Sequence, residues 1–144
     1  MFSQIVVAVD GSDHARRAAL TAARLARQLG ASLTLLTVYH QPPDFEGEPD
    51  YSDDLESAMR QAEATLDAEV AAIGADGGPA VEREAFAGSQ PGRTLLDAAE
   101  SGRYDLLVMG TRGLGRLQSA LMGSVSAQVA AHSPIPVLIV HGED

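Results

Sequence analysis

The 144-residue chain contains no cysteine, no tryptophan and no lysine; all ten of its cationic residues are arginine. Each absence removes a class of chemistry. Without cysteine there are no disulfides, no thiolate metal ligands and no thiol nucleophile. Without lysine there is no Schiff base, and neither a Walker-type nor a kinase-type lysine to meet phosphates. Three Phe and three Tyr leave little for an aromatic cage around a base. Basic charge is scarce as well: twenty acids against ten arginines give a formal net charge of −10. A nucleic-acid binder needs a cationic footprint, so that class is set aside. No apolar run approaches a membrane span, and "MFSQIVVAVDGS" carries neither a basic leader nor a cleavable apolar segment. The expectation is a soluble cytoplasmic protein with one domain, residues 1–144, large enough to bury a core.

What is present alternates in kind. "QIVVAVD" is a continuous β-branched run, as a parallel strand covered on both faces requires. Ser12 or Asp13 then caps a helix whose apolar stripe is Ala15, Ala18, Ala19, Ala22, Leu25, Ala26 and Leu29, stopped by Gly30. Arg16, Arg17, Arg24 and Arg27 share the opposite face and read as a solvated surface. "SLTLLTVYH" is a second strand, and the Pro- and acid-rich stretch 41–50 is a loop. A long helix follows, with Leu55, Ala58, Met59, Ala62, Leu66, Val70 and Ile73 inward, acids outward and Gly74 at its end. "PAVEREAFAG" alternates like a half-exposed strand, "GRTLLDAAESG" is a short helix, and "YDLLVMG" and "PIPVLIVH" are the last two strands. Strands alternating with helices define an α/β domain with a mainly parallel sheet. In such sheets ligands bind beyond the carboxyl ends of the strands, where strand order reverses.

The most informative stretch is "GTRGLGRLQSALMGSVS", Gly110 to Ser126, which holds four of the fourteen glycines between a buried strand and a helix. Glycines at 110, 113 and 123 let the backbone approach a partner without a Cβ, or adopt positive φ. A helix beginning near Gly123 offers unpaired N–H groups and a positive dipole end, which together suit an anion. Each N–H donated to a charged phosphate oxygen is worth about 1.5–3 kcal/mol. The spacing is neither the Rossmann fingerprint nor a P-loop. The net charge opposes a polyanion, but salt screens it beyond about 8 Å, so local groups decide. Arg112 and Arg116 are the local cations, as phosphate contacts or as plain loop arginines. Ser124 is a helix N-cap, a phosphate ligand, or both. Asp10 is either the turn residue of an Asp-Gly pair or an acceptor for ribose hydroxyls or an adenine amine.

These residues resemble the universal stress protein family. "IVVAVDGS" at the start and "GTRGLGRLQSALMGSVSAQVAAHSPIPVLIVH" at the end carry the likeness, which runs essentially the whole length. The pattern G-x2-G-x9-G-S/T is matched by Gly110, Gly113, Gly123 and Ser124 and marks the family's ATP-binding branch. The resemblance implies a five-stranded parallel sheet in the order 3-2-1-4-5 with helices on both faces, of the adenine nucleotide alpha hydrolase-like kind. It implies ATP with Mg²⁺ as ligand. Ala8 and Asp10 would lie beside ribose and adenine, with Val38 meeting the base through its backbone. Met109 and Gly110 would flank the nucleoside, Arg112 and Gly113 the phosphates, and Gly123, Ser124 and Val125 the phosphate end. Ala8 stands where the family often has proline. The family also implies a homodimer paired along the last strand, where "PVLIV" is an apolar edge.

The functional expectation is therefore an ATP-binding regulatory module of the stress response, with slow or no hydrolysis and no catalytic residue assigned. The alternative is an ATP hydrolase or nucleotidyl-transfer enzyme of the same fold group. Such an enzyme needs a base or water-orienting group near the γ-phosphate. His14, His40, His132 and His141 show no ligand spacing and no nucleophile partner, and read as surface or helix-face histidines. No H-x-G-H, S-G-G-x-D or G-x-S-x-G motif occurs.

Overall fold

The structure, a computed structural model, describes residues 2–40, 51–111 and 123–141. Among these residues five strands and four helices alternate: β1 (Gln4–Ala8), α1 (Asp13–Leu29), β2 (Ser32–Tyr39), α2 (Tyr51–Ala75), β3 (Glu82–Ala87), α3 (Pro91–Glu100), β4 (Leu106–Gly110), α4 (Ser124–His132) and β5 (Val137–Val140). The strands form one sheet in the order β3-β2-β1-β4-β5, and every pair is parallel. The α/β fold and strand order expected from the sequence are thus both present. Among the described residues no helix is long and apolar enough to cross a membrane.

The continuous apolar runs follow from burial on both faces. Ile5 and Val7 of β1, and Val9 just after it, pack with Leu33, Leu35 and Val108 and with the α1 alanines. Val6, Leu36, Leu107 and Met109 point the other way, against Leu95, Leu96 and Val129 of α3 and α4. Successive side chains of a strand alternate faces, so a strand buried on both sides has no polar positions to spare.

The helix signals hold for α1. Ser12 is its N-cap and accepts from the Ala15 N–H, while Gly30 ends it in the left-handed region at φ 68°. Ala15, Ala18, Ala19, Ala22, Ala23 and Ala26 are all buried, which seats the helix flush on the sheet. Leu29, expected inward, is 44% exposed, and Met59 of α2, also expected inward, is 46% exposed.

The arginine face of α1 is not simply solvated. Arg16 donates to Glu69, Arg24 forms a two-bond pair with Asp76 at 3.0 and 3.1 Å, and Arg27 donates to the Gly77 carbonyl at 2.7 Å. Three arginines therefore clip α1 to α2 and the turn after it. Glu69 also corrects the expectation that the acids of α2 face outward, since it is only 1% exposed. Its spacing from Ala62, Leu66 and Ile73 places it on the inward stripe.

Asp105 joins the beginnings of β1 and β4. Its carboxylate accepts from the N–H groups of Ser3 and Gln4 at 2.9 and 3.0 Å and from the Ser3 hydroxyl at 3.0 Å. Burial pushes this carboxyl up, but those donors outweigh it and hold it below the usual carboxylate range. A carboxyl depressed in the folded state adds stability above its unfolded pKa of about 3.9, and that stability is lost as pH falls below it. Asp105→Asn is expected to cost about 1 kcal/mol at neutral pH and to flatten the acid limb below pH ~4. Urea denaturation across that range checks this: wild-type and variant curves that stay parallel would contradict it.

Candidate functional site

The chain leaves β1 for β2 and β3 on one side, then crosses to β4 and β5 on the other. The carboxyl ends of β1 and β4 therefore border the crevice at the reversal point. A cavity of about 360 Å³ lies there, within the range of small-molecule sites.

Each wall comes from a definable element. The end of β1 and the turn after it supply Ala8, Val9, Asp10 and Ser12, and the first turn of α1 supplies His14 and Ala15. Leu36 and Val38 come from β2, and Met109, Gly110 and Thr111 from the end of β4. Pro91 and Leu95 of α3 close one side, and Gly123, Val125 and Ser126 at the start of α4 close another. Apolar carbon dominates the interior; among the described wall residues the titratable groups are Asp10 and His14.

The β1–α1 turn is tightly specified. The N–H of Val9 still donates to the Leu36 carbonyl at 2.9 Å, after which the chain leaves the sheet. Asp10 Oδ1 then accepts from the Ser12 N–H at 2.9 Å across Gly11, whose φ of 85° is strained for any other residue. Asp10 is exposed to the cleft, and among the described residues only its Oδ1 is engaged. The turn and ligand roles are thus compatible, one oxygen for each.

The two described glycines of the motif differ in what they do. A Cβ on Gly110 would stand 2.7 Å from the carbonyl oxygen of His14 and 3.0 Å from its carbon. Gly110 is therefore small so that α1 can approach β4. Its carbonyl accepts from the Ser126 hydroxyl at 2.9 Å, tying α4 to the strand end. Gly123 is the N-cap of α4 with φ −65° and ψ 161°, a conformation open to any residue. Its lack of a side chain is not a backbone requirement. With no side-chain cap, the first turn of this nine-residue helix meets the cavity through Gly123 and Val125 with its N–H groups and dipole end.

Of the residues anticipated from sequence, the structure gathers Ala8, Asp10, Val38, Met109, Gly110, Gly123 and Val125 around one cavity. Ser124 is the first residue of α4 and exposed, and since Gly123 takes the cap position Ser124 does not cap the helix. Arg112, Gly113 and Arg116 lie outside the described residues, as does the acidic stretch 41–50. Sequence reasoning missed His14, read as a surface or helix-face residue, and Pro91 and Leu95 of α3. The position of His14 in the first turn of α1, four residues after Asp10, was the available signal.

A doubly wound parallel sheet with a preformed cleft at its reversal point defines a class of small-ligand α/β domains. The family model for universal stress proteins matches residues 1–141, and the chain belongs to that family. A universal stress protein of Thermus aquaticus is 41% identical over 140 residues, covering 97% of this chain and 99% of the relative. Among solved structures, a universal stress protein in complex with cAMP is 31% identical at a TM-score of 0.79, covering 99% of each chain. One from Archaeoglobus fulgidus in complex with dAMP is 26% identical at a TM-score of 0.68, covering 95% of this chain and 96% of the other.

Proposed function

We propose that the cleft binds an adenine nucleotide, ATP with Mg²⁺, and that the protein is a cytoplasmic regulatory module of the stress response that turns ATP over slowly or not at all. The observation that carries this reading is Gly123, a side-chain-free cap whose backbone would accept any residue, placed at a helix start that lines the cavity. A glycine at that point would leave room for a group that needs N–H donors. The Oδ2 of Asp10, unengaged among the described residues, suits a ribose hydroxyl, and Ala8, Val38 and Met109 give an apolar bed for adenine. Gly110 flanks the nucleoside; Arg112 and Gly113 receive the phosphates, with Gly123, Ser124 and Val125 at their far end. Two structural relatives carry cAMP and dAMP, so the adenine moiety is the shared chemistry. Among the described residues no group of three His, Asp or Glu is placed to hold a metal. Mg²⁺ would therefore arrive on the phosphates and keep most of its waters.

Titration calorimetry with ATP·Mg²⁺, AMP and cAMP tests this. Micromolar ATP binding, tighter than either monophosphate, is expected, with little ADP or AMP formed from labelled ATP over hours. Binding of cAMP tenfold tighter than ATP would show that the polyphosphate contacts are not made.

The same reading includes a homodimer along β5. That strand is the sheet edge, and its Leu138 is 38% exposed. A bare apolar edge is a template for a second copy. Leu138→Arg is expected to shift the protein from dimer to monomer in sedimentation equilibrium; an unchanged mass would place the contact elsewhere.

A further inference from the structure

The contact between α1 and α2 is uneven in character. Away from the cleft, Arg24–Asp76 and Arg27–Gly77 are exposed contacts, ordinary clips between α1 and the turn after α2. At the cleft end the pair is Arg16–Glu69, and here the carboxylate is 1% exposed. Its Oε2 is buried without a hydrogen-bond partner among the described residues. A buried carboxylate with one oxygen unpaired is a poor stability device, because desolvation offsets much of what the pairing returns. Its location suggests a different use.

One turn before Glu69 on the same face, Thr65 Oγ1 lies 3.6 Å from where a Cβ of Gly11 would be. Arg16 in turn donates its backbone N–H to the Ser12 carbonyl at 3.0 Å. Ser12 donates its own N–H to Asp10 Oδ1 at 2.9 Å. A continuous set of contacts therefore runs from the buried carboxylate through the first turn of α1 to the acid at the cleft. If that turn moved away from α2, Glu69 would be stranded as an uncompensated charge, so the turn has one permitted seat.

We infer that Glu69 and Arg16, with Thr65 behind Gly11, are positioning residues that hold the β1–α1 turn so that the second carboxylate oxygen of Asp10 is aimed at the sugar hydroxyls of the bound nucleotide. This rests on the adenine-nucleotide reading of the cleft. A sugar-recognising acid gains selectivity only when it is fixed in place, since an acid free to swing meets water as readily as a ribose. The pair therefore acts on discrimination between nucleotides more than on how tightly phosphate is held.

The test compares AMP with 2′,3′-dideoxyadenosine monophosphate, which lacks both sugar hydroxyls, by calorimetry on the full chain. The variants are Asp10→Ala, Glu69→Gln and the double variant Arg16→Met with Glu69→Leu, in which an apolar pair fills the same space without direction. Wild type is expected to prefer AMP by about tenfold, the worth of one charge-assisted hydrogen bond. The double variant should unfold within a few degrees of wild type yet lose that preference, as Asp10→Ala does. Glu69→Gln should lose part of it. Hydrogen exchange at the Ser12 amide should quicken in both Glu69 variants. The inference is overturned if Asp10→Ala removes the preference while the double variant retains it and its Ser12 amide stays protected. Wild type binding neither nucleotide, or Asp10→Ala leaving the preference intact, would remove the reading of the cleft and this inference with it.

Discussion

Gly123→Val is expected to lower ATP affinity by about 100-fold or more while leaving the fold and its thermal midpoint almost unchanged. The two parts of that expectation have separate causes. At φ −65° and ψ 161° the backbone of Gly123 is ordinary for a branched residue, so the substitution introduces no backbone strain. The new side chain instead occupies space beside the first N–H groups of α4, at the cavity wall. A phosphate held away from two of those donors forfeits two charge-assisted bonds, each worth about 1.5–3 kcal/mol. At 1.4 kcal/mol per tenfold, that exceeds a factor of 100. Gly123→Ala, with a single methyl, should fall between the two. Calorimetry beside thermal denaturation reads both halves at once. Equal ATP affinity in wild type and the valine variant, with both folded, would mean that this helix start does not receive the phosphates.

Gly110→Ala is expected to do the reverse, harming the fold first and the cleft through it. The methyl would meet the His14 carbonyl oxygen at 2.7 Å and its carbon at 3.0 Å, both backbone atoms that cannot rotate aside. Relief requires the start of α1 to lift from β4. The buried alanines beneath that helix leave no slack for this. Overpacking of this kind costs about 1–3 kcal/mol, or roughly 3–10 °C in midpoint for a chain of this size. Because Ser12 and His14 ride on the displaced turn, nucleotide affinity should fall too, although no group that lines the cavity has been removed. A midpoint within a degree of wild type would show that α1 yields more easily than its packing indicates.

The two glycines also show what a sequence can convey. Both are read from the pattern as places of close approach; Gly110 is one, against the His14 carbonyl, while Gly123 lines the cavity. Whether a glycine makes room for a ligand or for a neighbouring helix depends on what stands opposite, which spacing alone does not carry. The sheet and α1 were more legible, because their signals are local: unbroken β-branched runs for strands covered twice, Ser12 and Gly30 for the helix ends. The exposure of Leu29 and Met59 was not, since periodicity marks a face but not how far the core extends under it. Glu69 was misread because charge ordinarily outweighs spacing when a face is assigned, and here the spacing was right. The contribution of α3 escaped because "GSQPGRT" offers turn residues and nothing chemical; Pro91 and Leu95 become walls only when the sheet brings them alongside β1 and β4.

The last rungs of the β4–β5 ladder join Gly110 to Val140 in register, with the Thr111 N–H donating to the Val140 carbonyl at 3.2 Å. Gly110 and Thr111 are walls of the cavity, while Val140 closes the outermost strand. Neighbouring strands stand about 4.8 Å apart. Contents of the hollow and a molecule laid along the rim would thus be divided by little more than the thickness of a single peptide ribbon.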